Sequence, residues 1–374
     1  MHQTLYQEAV QLLQALIATP SFSKEEASTA TLIEQFLLDK GIPAKRLKNN
    51  VWAVNANFDV QKPVLLLNSH HDTVKPNAQY TRNPFEPNIE ADQLFGLGSN
   101  DAGGCLVSLI ATFVHFYAVT DLPFNIVLAA TAEEEISGKE GIEALLQDVD
   151  FIAATHDSKE QLFSGWTGIV GEPTLLDLAI AERGLLVVDA VAHGKAGHAA
   201  RNEGDNALYK AIADIQTLQH FVFDKKSAWL GATTIQATVI ETPNKQHNVV
   251  PASCNYVLDI RVNECYIFDE VLQQIRALVS STLTPRSLRM RSTSIAETHP
   301  LVQAGIQLGK QCYGSPTTSD KALMPFPALK VGPGFSGRSH SADEFIFLHE
   351  IEAGITFYIA LLNVLTQHST LSFE

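Results

Sequence analysis

The sequence predicts an α/β protein on a mainly parallel sheet, interrupted by a smaller α+β insertion. Three observations carry this. Residues 64–68 and 124–131 are continuous apolar runs without alternation, as in strands buried on both faces. The stretch 104–120 between them is apolar and long enough for a helix. From Leu185 the pattern changes to β-α-β-β-α-β, the order of a small ferredoxin-like sandwich.

Taken in order, helical spacing covers 2–18 and 24–40, the second opened by Ser23-Lys24-Glu25-Glu26, a capping-box spelling. Strands are expected at 51–58, 64–68 and 124–131. In the middle, 185–192 reads as strand, 206–221 as helix, 232–241 and 255–262 as strands, 268–283 as helix and 287–295 as strand. From His299 the chain returns to helix at 301–313, strand at 328–331 and helix at 345–365. A core domain of 1–176 plus 291–374, with an inserted domain of 177–290, follows.

The chain has 374 residues, 45% apolar and 18% charged, with a net charge of −15. Such a composition fits a globular protein and excludes a disordered one. The acidic balance argues against nucleic-acid binding, which needs a basic surface. No apolar run reads as a membrane span, and the first residues lack the pattern of a signal peptide. Cys105, Cys254, Cys265 and Cys312 are scattered, which suggests a reducing compartment. A cytoplasmic protein without nucleic-acid or membrane partners is the expectation.

The chemically informative residues follow strands. In an open parallel sheet, ligands bind beyond the carboxyl ends of the strands. Ser69-His70-His71-Asp72 comes after the first buried run. An acid there can orient an imidazole as a metal ligand, or the two can simply satisfy each other. Asp101 sits in Gly96-Leu97-Gly98-Ser99-Asn100-Asp101-Ala102-Gly103-Gly104, where an aspartate taken alone is more often a helix cap. Glu133-Glu134-Glu135 follows the second run. Three adjacent carboxylates need solvent or a cation to offset their repulsion. Glu172 follows Ile169-Val170, and His340 lies in Ser339-His340-Ser341-Ala342-Asp343-Glu344. Together these residue types suit divalent ions, zinc first, and two such ions sharing a carboxylate could polarise a carbonyl and ionise a water.

In this order the motifs resemble the co-catalytic zinc amidohydrolases and peptidases that include acetylornithine deacetylase and succinyl-diaminopimelate desuccinylase. The resemblance implies a zinc-peptidase-like catalytic domain with an inserted lid and dimerisation domain. It implies His70 and Glu172 on one metal, Glu135 and His340 on the other, and Asp101 across both. The metals would be two divalent ions, zinc first, with cobalt able to substitute. Asp72 would orient His70, and Glu134 would be the general base. A cis bond at Asp101–Ala102 is implied too. Leu97 and Gly103 depart from the family's frequent Arg and Lys.

In the insertion, His198 resembles the family histidine that donates to the oxyanion in its own or the partner subunit. Asn248, Arg261, Gly332 and Gly334 match segments that contact substrate, and Arg338, without a family counterpart, is an additional candidate anion contact. His71, His193, His115, His220 and His247 read as structural. The resemblance implies hydrolysis of a small N-acyl amino acid by a homodimer joined through 177–290. The motif spelling around Asp101 and His340 is closest to N-acetyl-L-ornithine or N-succinyl-L-ornithine deacylation in arginine biosynthesis. The alternatives are succinyl-diaminopimelate desuccinylation, acetylcitrulline deacetylation, dipeptide hydrolysis, or a catalytically silent small-molecule-binding dimer. A succinyl substrate would need a cation for its distal carboxylate, from Arg338 or Lys321.

Overall fold

The computed structural model describes residues 2–156, 162–367 and 373. Contacts divide the chain into two compact units: Met1–Ile180 with Ile295–Tyr313 and Ser319–Glu374, and Ala181–Ser294 with Gly314–Thr318. The insertion thus starts and stops a few residues later than the sequence suggested. It also takes Gly314–Thr318 from the stretch assigned to the core.

The sheet of the first unit runs in the order Lys45–Leu47, Asn50–Val54, Asn125–Thr131, Val64–His70, Trp166–Val170, Ala328–Lys330, Leu178–Glu182. Its four middle members, from Asn125–Thr131 to Ala328–Lys330, are mutually parallel. The flanking pairs are antiparallel, so the sheet is mixed at its sides. The middle strands end nearly level: His70 lies opposite Thr131, while Asn68 and Lys330 both lie opposite Val170. The residues after each of them therefore emerge at one edge.

The unbroken apolar runs are explained by burial on both faces. Leu65, Leu67, Ile126, Leu128 and Ile169 belong to a core shared with the helices His2–Ile17, Gly104–Phe116 and Leu348–Thr366. The alternate residues Val64, Leu66, Val127, Trp166 and Val170 pack with Leu145, Phe151 and Phe326. Burying each such side chain contributes about 1.5–3 kcal/mol relative to exposure.

Three local expectations are corrected. Ser23 to Glu26 do not form a capping box, because the helix spans Ala27–Asp39 and Glu26 makes no side-chain cap. The Ser23 hydroxyl instead donates to Asp72 Oδ2 at 2.7 Å, and Glu26 Oε1 accepts from the Glu133 N–H at 3.2 Å. These side chains are spent on holding the strand ends. The last run opens with a strand, Phe345–Phe347, before the helix Leu348–Thr366. That helix is long and apolar enough, by length and composition, to cross a membrane, contrary to the sequence reading. Its apolar side instead packs into the core through Ile351, Ile355, Tyr358 and Leu362.

His299 caps the helix Pro300–Gln307, its Nδ1 accepting from the Leu301 N–H at 3.1 Å. Burial lowers its pKa to about 4. The folded state therefore binds fewer protons than the unfolded one between about pH 4 and the ordinary histidine value near 6.5. Stability from this group is complete above that window and is lost as pH falls through it. Urea unfolding at pH 7 and pH 5 is expected to show about 1–2 kcal/mol of this loss, absent in His299→Asn, which caps without titrating. Equal slopes in the two proteins would refute it.

The second unit has an antiparallel sheet ordered Thr234–Glu241, Ser253–Val262, Gly184–His193, Thr282–Pro285. Its buried face packs against the helices Ala207–His220 and Phe268–Leu278. The β-α-β-β-α-β order holds, but the final strand is Thr282–Pro285 rather than 287–295. That region supplies only Thr293–Ser294, paired with Glu182 and Ala181. The outer strand Thr234–Glu241 leaves Val239 and Ile240 exposed.

Candidate metal centre

Four of the predicted residues close or follow parallel strands whose ends are level, and the fifth, Asp101, precedes the helix Gly104–Phe116. His70 closes the strand Val64–His70 and is buried. Its Nδ1 donates to the backbone carbonyl of Asp72 at 3.0 Å and lies 3.4 Å from Asp72 Oδ1. The carbonyl thus does more to orient the ring than the carboxylate. This turns Nε2 inward, where it is buried without a hydrogen-bond partner. It lies 3.5 Å from Asp101 Oδ1, 3.8 Å from Glu172 Oε1 and 4.0 Å from Glu134 Oε2.

Asp72 has a second task. Its carboxylate accepts the backbone N–H of Glu134 at 3.1 Å and of Glu135 at 3.2 Å. It therefore ties the acidic turn to the end of the neighbouring strand. Charge-assisted bonds of this kind are about twice as strong as neutral ones.

Asp101 faces both ways. Oδ1 points at His70, while Oδ2 lies 3.5 Å from His340 Nε2. The Asp101–Ala102 peptide bond is cis, as the resemblance implied. Glu135 Oε2 is 3.0 Å from the same His340 nitrogen. Two sets result, His70–Asp101–Glu172 and Asp101–Glu135–His340, each with donor atoms within 4.8 Å of one another.

The acids outnumber the imidazoles, and the electrostatics reflect it. Burial alone would lower His70, but the facing Asp101 and Asp72 carboxylates raise it well above its usual value. The Glu135 carboxylate, and Asp101 behind it, push His340 up to about 9. Burial, with Glu172 and Asp320 nearby, holds Glu134 well above the glutamate range against the pull of His70. Carboxylates dominate the two donor sets. The inward, unpartnered His70 nitrogen and the oxygens of Asp101, Glu135 and Glu172 fit a pair of divalent ions.

A family model for peptidase family M20/M25/M40 matches residues 66–364. The chain belongs to that family. It is 28% identical to a succinyl-diaminopimelate desuccinylase of Cereibacter sphaeroides, over 95% of this chain and 98% of the relative. A desuccinylase of Dinoroseobacter shibae is 26% identical over the same shares. Among solved structures, an M20 family metallo-carboxypeptidase of Sulfolobus solfataricus superposes with a TM-score of 0.74 at 17% identity, over 96% of this chain and 99% of that one. A dinuclear metal-binding M20 peptidase of Bacillus subtilis superposes at 0.70 and 14% identity, over 98% and 99%. At that identity the likeness speaks to the fold. As a member of M20/M25/M40, the chain is a metal-dependent amidohydrolase with an α/β catalytic domain and an inserted lid domain.

Other expected M20 substrate contacts are placed differently. Arg338 is not free for an anion: its guanidinium donates to both oxygens of Glu350, at 2.7 and 2.8 Å, and lies over Phe345 and Phe347. Lys321 is buried, with Nζ 3.4 Å from the Ile180 carbonyl. Gly332 and Gly334 leave no room for a Cβ: one at Gly332 would meet Cys105 Sγ at 2.6 Å, and one at Gly334, where φ is +87°, would meet Asn100 Oδ1 at 2.6 Å. Packing alone therefore accounts for glycine at both positions. Gly103, in place of the frequent Lys, is equally enclosed, since a Cβ would lie 2.4 Å from the Gly98 carbonyl.

His198, Asn248 and Arg261 belong to the second unit. Arg261 donates to both oxygens of Asp259, at 2.7 and 3.1 Å. The Asn248 carbonyl accepts from Ala199 at 3.0 Å, beside the exposed His198.

Sequence reasoning missed three residues. Glu344 accepts backbone N–H bonds from the Asp101 segment, and burial with the Asp101 charge pushes it up to about 8. Asn100 clamps Phe335 through both its amide atoms. Asp320 accepts from Thr131 Oγ1 at 2.8 Å, and burial pushes it up to about 6. The first two stood in quoted motifs, but nothing in their spacing separated them from ordinary turn residues.

Proposed function

We propose that this protein hydrolyses the amide bond of an N-acyl-L-amino acid to a carboxylate and a free amino acid. The observation that carries the reading is Asp101, whose two oxygens face two histidines, each with its own glutamate, beside the buried Glu134. His70, Glu172, Glu135 and His340 with Asp101 would hold two divalent ions, zinc first. Bound there, such ions polarise a carbonyl and lower the pKa of water toward neutral.

The rest is done by the chain. Glu134 takes the proton of the attacking water and returns it to the leaving amine. Asp72 fixes that glutamate by its backbone and fixes the His70 ring. His198 donates to the developing oxyanion. A homodimer through the second unit is part of the proposal, supported by the exposed apolar outer strand Thr234–Glu241, whose free edge invites pairing.

For the substrate, N-acetyl-L-ornithine comes first. Its acyl group has no charge, and both cations the sequence offered for a distal carboxylate, Arg338 and Lys321, are engaged elsewhere. Succinyl-diaminopimelate comes second, favoured by the names of the relatives.

A kinetic panel of N-acetyl- and N-succinyl-ornithine, -citrulline and -diaminopimelate tests both. The expected result is a kcat/KM at least about tenfold higher for acetylornithine, equivalent to ~1.4 kcal/mol. A preference for the succinyl compounds would move the assignment to the second reading. Activity unaffected by prolonged chelation would remove the metal from both.

A further inference from the structure

We infer that Glu344 is a positioning residue of the metal centre, one that holds the backbone of the bridging aspartate rather than any ion. Its side chain is 2% exposed. Oε1 accepts the N–H of Asn100 and the N–H of Asp101, both at 2.9 Å, and Oε2 accepts the N–H of Gly98 at 3.1 Å. Its own carbonyl accepts the Gly96 N–H at 2.9 Å. One residue thus anchors four N–H groups of the segment that ends in Asp101.

The consequence is geometric. A segment with αL glycine at Gly98, where φ is +76°, and irregular backbone at Asp101 makes few regular hydrogen bonds of its own. Glu344 supplies the acceptors, its two side-chain oxygens facing three converging N–H groups. It also sits four residues after His340 in the same loop. That loop is fastened to the same segment a second time, where Asn100 Oδ1 accepts from Phe335 at 3.0 Å and Nδ2 donates to its carbonyl at 3.1 Å. Glu344 therefore sets the separation of Asp101 from His340, on which a shared ion depends. The inference rests on Asp101 and His340 being ligands.

Glutamine cannot reproduce this. It offers one acceptor oxygen, and its NH2 must face an N–H at one of the two positions. Partners that orient ligands typically account for 10–100-fold in metal affinity or activity. Metal-stripped protein titrated calorimetrically with zinc, together with kcat and KM at saturating zinc, gives the test. Glu344→Gln is expected to weaken at least one of two zinc sites by about 10–100-fold and to lower kcat comparably, with KM within about twofold. Zinc affinities equal to those of the unaltered protein would overturn the inference. So would a variant changed only in melting temperature. Should the glutamine variant not fold, Glu344→Asp, which keeps both oxygens one methylene short, carries the test: about tenfold weaker zinc supports it and unchanged affinity overturns it. Unaltered protein that binds no zinc would defeat the underlying metal reading instead, which is a separate outcome.

Discussion

Replacing Glu134 with Gln is expected to lower kcat by about 10²–10⁴-fold while two metal ions stay bound. The substitution keeps the side chain's shape and the backbone bond to Asp72, and removes only the ability to take a proton. Glu134 comes within 4.0 Å of His70 Nε2, yet it belongs to neither set of convergent donors. Burial raises its pKa, and Glu172 and Asp320 add to this against His70, so it is a stronger base than a surface glutamate. Its neighbour makes the contrast. Glu135 touches His340 and is in a donor set, so Glu135→Gln should lose metal first and activity with it. Metal content by atomic absorption, measured beside steady-state rates, separates the two. Turnover retained in Glu134→Gln would place the base elsewhere. Metal lost together with turnover would make Glu134 a ligand.

Much of this centre was legible because its residues stand at the ends of strands that the sequence shows plainly. Val64–His70 and Asn125–Thr131 carry unbroken apolar runs at 64–67 and 126–130 where two layers cover them, and the site residues begin soon after each run stops. Level strand ends then bring His70 and Glu134–Glu135 to one edge without further information. What was not legible depends on contacts far apart in the chain. Ser23 spells a helix cap, but the helix begins only at Ala27, and the fold instead brings Asp72 within reach of the Ser23 hydroxyl. Arg338 has the charge to bind an anion, and only the fold reveals that Glu350 already fills it. Glu344 sits in a quoted motif among Ser341, Ala342 and Asp343, none of which binds the Asp101 segment. Its importance comes from the backbone it meets more than 240 positions earlier, as the spacing of 244 to Asn100 shows.

Replacing His198 with Ala is expected to lower kcat by about 10²–10³-fold, with metal content and dimerisation unchanged. His198 Nδ1 accepts the Ala200 N–H at 3.2 Å, which leaves the proton on Nε2 and makes that nitrogen a donor. The ring is exposed and is braced by its own backbone rather than by core packing, so its loss should cost little stability. A donor aimed at a developing oxyanion contributes about 3–4 kcal/mol, which matches the rate loss expected. An unchanged rate would reduce His198 to a turn residue. Mixing the two inactive variants then asks which subunit it serves. In a dimer of one Glu134→Gln and one His198→Ala chain, a histidine acting across the interface leaves one site with both groups intact. Random pairing would restore about a quarter of the unaltered activity, whereas a histidine acting within its own chain would restore none.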